Sequence, residues 1–412
     1  MSLRGKNGKT YTLGSEIKAG GEGTVYTVQG DPKVVAKLYH PSTPASKLTL
    51  LEKKLKVMVD DTNFEPYEDG RLRFAWPLDI LYDNGKFVGF IMPNAKGTYE
   101  FHEIMWTDKQ AQFRHYDYNR SIAVACNLAL TVNYVHSKGY VIGDMNIKNF
   151  RFDRECHVIV LDVDSFDVTD KQTGAHYKCC VGCPDVLAPE LQGLRLDTER
   201  AKFTKQTDYF SLAILIFMFL MNGSHPFNAP KITTASGYSS STSDNDIMLD
   251  IANGNCPYVR LNTGRQVPKY APDYVMIPAV VQELFRRTFN YTQSTATQAI
   301  SRRATAEEFA KVLYIFLQRE KTTCSSDSRH LYITRLSYCP FCAADRRVRN
   351  VTGTTSGSAY KRVSVKKVAA AAPAKAPTPA TTTTNTAKTN TNQSTNSGKK
   401  SGFLSKVKSF FS

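Results

Sequence analysis

The chain has 412 residues, of which 42% are apolar and 11% aromatic, so it can bury a large core over two or three domains. Its formal charge is +16, but residues 343–412 hold 13 Lys and Arg against one Asp, and the rest is close to neutral. This distribution argues against a nucleic-acid-binding surface on the folded part, because a basic tail is usually a solvated arm.

The first hundred residues predict strands around one helix. Residues 10–40 alternate apolar and polar side chains around a glycine cluster, which is typical of a hairpin followed by further strands. Residues 46–60 place apolar side chains, from Leu48 to Met58, at helical spacing. Residues 72–92 predict two more strands, joined by an Asp-Asn-Gly turn.

The chain beyond residue 100 predicts mostly helices. Short apolar runs at residues 140–142 and 158–161 predict buried strands, while residues 228–246 are rich in Ser, Thr and Gly and predict a loop. The longest apolar run, at residues 210–221, is too short to span a bilayer and predicts a buried helix. A strand-rich region followed by a helical region is an α+β arrangement. Helices are expected at residues 116–137, 203–221, 280–289 and 305–317.

Two polar segments follow the short strands. The sequence Gly-Asp-Met-Asn-Ile-Lys-Asn at residues 143–149 contains Asp144 and Asn149, and Leu-Asp-Val-Asp at residues 161–164 adds Asp162. Phosphoryl transfer from ATP needs a carboxylate to orient the attacking hydroxyl, together with an amide and a carboxylate to hold magnesium. The spacing, with a strand before each Asp, therefore favours an ATP phosphotransfer site over unrelated surface residues.

With further motifs in the same order, residues 10–318 resemble a eukaryotic-type protein kinase domain. Ala-Gly-Gly-Glu-Gly-Thr-Val-Tyr at residues 19–26 resembles the glycine-rich loop over the ATP phosphates. Val-Ala-Lys, ending at Lys37, resembles the strand whose lysine contacts the α- and β-phosphates. Ala-Pro-Glu, ending at Glu190, and the motif around Arg303 also match, and they imply that Arg303 pairs with Glu190.

The resemblance implies a bilobal fold, with a strand-rich N-lobe at residues 1–98 and a helical C-lobe at residues 99–318. The implied cofactors are ATP and Mg²⁺ or Mn²⁺, and the implied acceptors are Ser and Thr hydroxyls of protein substrates, including the chain itself. Asp144 matches the catalytic aspartate, and Asn149 and Asp162 match the metal ligands. The candidates for nucleotide contact are Gly20, Gly21, Gly23, Val25, Lys37, Glu52 and Met92.

Glu52 is the candidate ion-pair partner of Lys37, and a solvated helix charge is the alternative. Asn146 stands where the family often has a lysine near the transferred phosphate, and it is kept as a candidate catalytic residue. Asp164 replaces the usual glycine after Asp162 and Val163. It is a candidate Mg²⁺ ligand, direct or through water, with a turn cap as the alternative.

Two further departures concern regulation and substrate choice. Gly143 replaces the family's arginine, so we expect activation that does not depend on an arginine holding a phosphorylated loop. Lys148 stands where kinases that select basic substrates often carry an acidic residue, so we expect weak preference for basic substrates.

Two other functions stay open. The Gly-Asp and Asp-x-Asp pattern also resembles aminoglycoside and choline phosphotransferases, which act on small molecules. A pseudokinase, a binding scaffold with residual nucleotide affinity, is the other alternative, because Lys18, Asn146 and Asp164 depart from the family pattern. The Ala-Pro-Glu and Arg303 motifs favour a polypeptide substrate.

A cysteine and histidine cluster follows the kinase-like region. The start of the sequence lacks the apolar core of a signal peptide, so we expect a reducing cytoplasm and no disulfides among the nine cysteines. Residues 319–345 predict a small zinc-ribbon-like element with a structural Zn²⁺, and unrelated thiols are the alternative. The four candidate ligands, within nineteen residues, are Cys324, His330, Cys339 and Cys342.

With this element, residues 10–345 resemble the bacterial kinases associated with tellurite-resistance-type gene clusters. That resemblance implies as partners a von Willebrand A-type metal-binding protein and a metal-dependent Ser/Thr phosphatase.

The end of the chain changes character twice. Residues 346–398 have almost no large apolar side chains and predict a disordered linker. Residues 399–412 predict an amphipathic basic helix that docks on a partner or an anionic membrane, with a frayed tail as the alternative. We therefore expect a cytoplasmic location, and a peripheral position at the membrane if the terminal helix docks there. Nucleic acid is disfavoured, since no interleaved aromatic and basic surface precedes this helix.

Overall fold

In the computed structural model, which describes residues 1–62, 64–105, 117–232 and 244–352, the chain begins with a closed six-stranded barrel. Its strands follow the antiparallel order β1-β2-β3-β4-β6-β5, and apolar side chains from Leu3 to Ile91 fill its interior. Its elements are β1 Ser2–Gly5, β2 Thr10–Ala19, β3 Gly23–Val28, β4 Val34–Tyr39, helix α1 Ala45–Asp60, β5 Asp79–Asp83 and β6 Lys86–Pro93.

The turn between β5 and β6 confirms the predicted hairpin. Asn84 and Gly85 have φ angles of 47° and 78°, the left-handed geometry that a tight two-residue hairpin turn requires. Helix α1 packs against these two strands and buries Lys54, Leu55 and Met58. Strand β6 in turn pairs with β4, the strand that carries Lys37.

The rest of the described chain is mainly helical, which makes the whole α+β. Helix α3 is buried along most of its length and packs against α4 and α8. The elements are β7 Tyr99–Glu100, α2 His102–Met105, α3 Tyr118–Ser137, β8 Phe150–Phe152, β9 Val158–Val160, β10 Val168–Thr169, β11 His176–Tyr177, α4 Lys205–Leu220, α5 Asp244–Asn253, α6 Ala279–Phe289, α7 Ala296–Ala299, α8 Ala306–Gln318, β12 Lys321–Thr323, β13 Leu331–Ile333 and α9 Pro340–Thr352.

Side-chain caps set the starts of α3, α4 and α8. Asp117 accepts a hydrogen bond from the backbone N–H of Arg120 at the start of α3. Thr204 and Thr207 form a capping box at the start of α4, and Thr305 and Glu308 form another at the start of α8. These caps satisfy N–H groups that have no partner within a helix.

The four long helices predicted for this region are present to within two residues at each end. The predicted strand at residues 140–142 is wrong, because only Val141 pairs, in a single bridge with Asp167. The predicted loop at residues 228–246 overlaps the start of α5, and residues 233–243 lie outside the described part.

Helix α9 extends past residue 346, where the linker was expected to begin. Arg347 explains this, since its guanidinium pairs with Asp273 at 2.8 Å and donates to the carbonyl of Ala271 at 2.7 Å. The rest of the expected linker and the expected terminal helix lie outside the described residues. No helix in the described ranges is both long and apolar enough to cross a bilayer.

Candidate active site

Lys37 lies on β4 and only 6% of its surface is exposed. Its Nζ donates hydrogen bonds to Asp162 Oδ1 at 2.8 Å and to the two carboxylate oxygens of Asp164 at 2.9 and 2.8 Å. Burial alone would lower the pKa of Lys37, but the carboxylates of Asp164 and Asp162 raise it above its ordinary value. Lys37 is therefore a cation with a fixed position.

Asp164 is buried, and both its carboxylate oxygens and its carbonyl oxygen accept hydrogen bonds. The hydroxyl of Tyr39 donates to Asp164 Oδ2 at 2.8 Å, and Nζ of the buried Lys54 donates to the Asp164 carbonyl at 2.7 Å. Burial alone would raise the pKa of Asp164, but Lys37 and Tyr39 together bring it below its ordinary value. Asp164 is consequently an anion enclosed by donors.

Asp162, two residues before Asp164, has a half-exposed carboxylate. Its φ angle is 50°, in the left-handed region, where a residue other than glycine is strained. It precedes a turn of 3₁₀ helix, Val163–Ser165, that buries Asp164 while 50% of the Asp162 side chain stays exposed. The two aspartates of this segment therefore differ in exposure, although both contact Lys37.

Asp144 and Asn149 form a second pair next to Asp162. Asn149 Nδ2 donates to Asp144 Oδ2 at 3.0 Å and to the Asp144 carbonyl at 3.1 Å. The backbone N–H of Leu161 donates to the Asn149 carbonyl at 2.7 Å, which ties the two polar segments together. Burial raises the pKa of Asp144, with a smaller contribution from the negative charge of Asp162. The candidate residues on both segments therefore belong to one site.

The loop that carries Asp144 is anchored from below by Asp208 of α4, which is fully buried. The Asp208 carboxylate accepts hydrogen bonds from the backbone N–H groups of Ile142 at 2.7 Å and Gly143 at 2.9 Å. His136 Nε2 lies 2.8 Å from the same carboxylate. The first turn of α4 therefore anchors the loop that carries Asp144.

Gly143 allows a close approach that a larger residue would prevent. Its φ angle is +73°, and a Cβ at this position would lie 2.5 Å from Cys179 Sγ and 2.8 Å from Cys179 Cβ. Cys179 is buried in an apolar cluster with Leu187, Leu191, Ala201 and Phe203. Apolar packing therefore occupies the space beside Gly143 and holds the segment between Asp162 and Glu190.

The glycine-rich turn joins β2 and β3. A Cβ at Gly23 would lie 2.2 Å from the Leu38 carbonyl, so strand packing requires glycine there, whereas a Cβ at Gly21 would meet nothing within 4 Å. Gly20 closes the turn by donating its N–H to the Gly23 carbonyl at 2.8 Å.

Two other nucleotide-contact candidates lie on strands around Lys37. Val25 pairs with Lys37 itself across β3 and β4, and Met92 of β6 pairs with Val35 of β4. Both therefore lie on the strands nearest to Lys37.

Two expectations are corrected by the geometry, and a third stays a prediction. Glu52 does not reach Lys37: its carboxylate binds Lys56 at 2.6 Å and the Tyr82 hydroxyl at 2.9 Å. The Asp164 carboxylate binds Lys37 and Tyr39 rather than being open to a metal ion. The side-chain oxygen of Asn146 accepts a hydrogen bond from the Lys148 N–H at 3.1 Å, and the expected catalytic role of Asn146 stays a prediction.

The expected pair of Arg303 with Glu190 is confirmed. The two guanidinium nitrogens donate to the two carboxylate oxygens at 2.7 Å each.

Asn149 and Asp162 fit a magnesium ion by their chemistry. Because Asn149 donates its amide nitrogen to Asp144, its amide oxygen is the remaining donor atom, and Asp162 adds a half-exposed carboxylate. Magnesium is usually held by one or two carboxylates together with waters and substrate phosphates.

A second metal centre is indicated at the end of the described chain. The ligand atoms of Cys324, His330, Cys339 and Cys342 all lie within 4.8 Å of one another. The Cys324 and Cys342 sulfurs are 3.6 Å apart, and each of Cys339 and Cys342 lies within 3.7 Å of His330 Nδ1. A tetrahedral Zn²⁺ with Zn–S bonds of about 2.3 Å places its ligand atoms about 3.8 Å apart, so the four residues fit zinc.

This cluster is packed onto the helical region. The ring of Phe341 stacks on His330 at 4.8 Å and contacts Tyr118 at 5.3 Å, at the start of α3. The backbone N–H of Tyr118 donates to the Arg329 carbonyl at 3.1 Å. A metal ion bound here would therefore restrict the motion of the first turn of α3.

No protein-family model matches the chain. Two relatives from Escherichia coli strains K12 and O157:H7, each named protein kinase YegI, are 31% identical over 347 residues, which is 82% of this chain and 50% of each relative. Protein kinase C delta type of Mus musculus is 26% identical over 186 residues, which is 43% of this chain and 25% of the relative. The chain spans about half the length of the E. coli relatives it matches. These similarities, with Lys37, Asp144, Asn149 and Asp162 gathered in one site, show that the chain contains a domain of the protein kinase family.

Proposed function

We propose that the chain is an ATP-dependent protein kinase that uses Mg²⁺ or Mn²⁺ and phosphorylates serine and threonine hydroxyls, its own among them. The observation that carries this proposal is the joining of the Asp144–Asn149 pair to Asp162 and Lys37 in one site. The barrel would be the N-lobe and the helical region the C-lobe of a bilobal kinase, with ATP between them.

The site residues have separate tasks in this proposal. Asp144 accepts a hydrogen bond from the substrate hydroxyl and takes its proton late in the transfer. Lys37 contacts the α- and β-phosphates, and Asn149 and Asp162 hold the magnesium ion, which offsets charge on the phosphates. The open backbone at Gly21, where a Cβ would meet nothing within 4 Å, allows a phosphate oxygen to approach the turn closely.

A polypeptide substrate is favoured over a small molecule. The ion pair of Arg303 with Glu190 holds the end of the segment that follows Asp162, and Ala-Pro-Glu there is a protein-kinase motif.

The test is transfer of radiolabelled phosphate from ATP by purified full-length protein, followed by phosphoamino-acid analysis. Wild type should label protein on serine or threonine in the presence of Mg²⁺, and Asp144→Ala and Asp162→Ala should lose this labelling. Asp197→Ala is the matched control, because that side chain is 57% exposed and pairs with the neighbouring Arg195.

Three results would contradict the proposal. ATP binding without transfer would favour a pseudokinase scaffold. Labelling of a small molecule alone would favour a phosphotransferase of the aminoglycoside type. Labelling that survives Asp144→Ala would place the chemistry elsewhere.

The remaining proposals concern the second metal centre, the location and the partners. We propose that the metal of the cysteine and histidine cluster is a structural Zn²⁺, since four protein ligands leave no open position.

The resemblance to kinases of tellurite-resistance-type gene clusters supports proposals for location and partners. We propose a cytoplasmic location or a peripheral membrane position, with a von Willebrand A-type protein and a metal-dependent Ser/Thr phosphatase as partners. Co-purification of tagged full-length protein from cells tests the two partners, and fractionation of the same cells tests the location.

A further inference from the structure

The lysine that contacts ATP phosphates in a kinase needs a carboxylate to hold it, and the family supplies one from the helix beside the lysine strand. In this chain the carboxylate of α1 is turned away. Glu52 binds Lys56 and Tyr82 instead, at 2.6 and 2.9 Å. Another group must therefore hold Lys37.

The inner face of α1 carries a cation instead of an anion. Lys54 lies one turn before the buried Met58, and only 4% of its surface is exposed. Its Nζ donates to the Asp164 carbonyl at 2.7 Å. Where the family's helix presents a glutamate to the lysine, the inner face of α1 therefore presents the positive charge of Lys54 to the segment that contains Asp164.

The missing anion is found after Asp162. Asp164, with 2% of its surface exposed, accepts two hydrogen bonds from Lys37 and a third from Tyr39. Gly89 allows the neighbouring strand to approach closely, because a Cβ there would lie 2.0 Å from the Lys37 carbonyl. Backbone and side chain of Lys37 are thus both tightly confined.

We propose that Asp164 is the positioning residue of Lys37 and takes the place that a glutamate of α1 holds in the family. Lys54 completes the arrangement by tying α1 to the backbone of Asp164. Two cations and two anions then lie in one cluster, which satisfies the requirement that buried charges be paired. One short segment therefore carries the metal-binding candidate Asp162 and, two residues later, Asp164, which positions Lys37. This inference rests on the proposed function for the role of Lys37 towards ATP.

The first test compares kinetics of the purified full-length protein. Asp164→Asn should lower kcat by about 100-fold, the order expected when a catalytic group is displaced by about 1 Å. The KM for ATP should change much less, because a displaced Lys37 is expected to lose more transition-state stabilisation than ground-state binding of ATP. Glu52→Gln should leave kcat near the wild-type value. Equal losses for the two variants, or a loss in Glu52→Gln alone, would overturn the inference.

The second test does not depend on activity. Chemical unfolding midpoints are measured for Lys37→Met, Asp164→Asn and the double variant. Each single change leaves a buried charge without its main partner, so the double variant should be at least as stable as either single one. Lys37→Met combined with Glu52→Gln should give additive shifts, because these residues do not touch. Lys6→Met with Asp60→Asn, an exposed pair at 2.9 Å, should show only a small coupling.

The two tests separate the possible failures. If wild type transfers no phosphate, the proposed function fails, and the unfolding midpoints alone decide whether Asp164 holds Lys37. If Asp164→Asn does not fold, recovery of a folded protein in the double variant supports the pairing. Additive shifts for Lys37 and Asp164, or a double variant that remains unfolded, would refute it.

Discussion

Arg303 and Glu190 are 113 positions apart and form a two-point ion pair with N–O distances of 2.7 Å. The Arg303 side chain is 1% exposed and also donates to the Gln206 carbonyl at 2.9 Å. Its guanidinium lies 5.2 Å from the centre of the Phe210 ring. One arginine thus joins the end of the segment after Asp162 to the first turn of α4.

Arg303→Met should destabilise the protein by roughly 3–5 kcal/mol, because it leaves Glu190 and the Gln206 carbonyl without their partner. The free energy of unfolding from denaturant titration measures this. The matched control is Arg286→Met, which removes a two-point arginine–glutamate pair from an exposed helix surface. Its effect should be far smaller, and equal losses at the two positions would contradict the importance given to burial.

Gly143→Ala should destabilise the protein and loosen the segment around Cys179. A positive φ angle costs a residue with a Cβ about 1–2 kcal/mol. The contact of 2.5 Å with Cys179 Sγ adds overpacking, which typically costs about 1–3 kcal/mol more. Denaturant unfolding gives the total, and limited proteolysis between residues 164 and 190 reports the loosening.

Gly193→Ala separates the two contributions. Gly193 has the same φ angle of +73°, but a Cβ there would meet nothing within 4 Å. It should show the cost of the backbone angle without the cost of the contact. If Gly143→Ala were no more harmful than Gly193→Ala, the contact with Cys179 would not limit residue 143.

The sequence was sufficient for those parts of the site that depend on local order. Asp144 and Asn149 are five residues apart in one loop, and the Arg303 pairing follows from motifs in family order. Helix α1 was also predictable from its apolar spacing, with a start one residue from that expected.

The exchange of charge around Lys37 was not anticipated. Lys54 shares the inward face of α1 with Met58, so its position was available from helical spacing. A lysine is rarely buried, however, and its partner lies 110 residues away. His136 and Tyr39 were missed for the same reason, because their acidic partners are 72 and 125 residues distant. Long-range pairing of buried polar groups leaves no periodic signal.

Removal of the proposed zinc ion should lower the thermal stability of the helical region. A ligand present at about 100 times its dissociation constant contributes about 2.7 kcal/mol, so chelation should remove at least that much. Metal content by mass spectrometry and thermal unfolding before and after chelation provide the measurement. Re-addition of Zn²⁺ should restore the midpoint.

Cys339→Ser tests the ligand assignment directly. The variant should lose the zinc ion and show the lowered midpoint without chelator. Cys180→Ser is the control, since Cys180 is exposed and lies outside the cluster. One zinc per chain in Cys339→Ser would show that Cys339 is not a ligand.

Activity should not require phosphorylation of the segment after Asp162. Gly143 provides no arginine to bind a phosphate, and the segment is held without one. The Cys179 N–H donates to Asp167 Oδ2 at 3.1 Å, and burial raises the pKa of the Cys179 thiol to about 12, so it packs as a neutral group. The strands β10 and β11 pair with each other next to this anchor.

The variant Thr169→Ala, Thr173→Ala, Tyr177→Phe removes three of the four side-chain hydroxyls between residues 162 and 190, and phosphatase treatment of wild type covers the fourth, that of Ser165. Its kcat should stay within about tenfold of the wild-type value, which corresponds to about 1.4 kcal/mol. Steady-state kinetics of the triple variant and of phosphatase-treated wild type provide the measurement, with Asp144→Ala as the inactive reference. If the triple variant were as inactive as Asp144→Ala, apolar packing around Cys179 would be insufficient to order the segment, and a phosphate-binding cation would have to be sought elsewhere than residue 143.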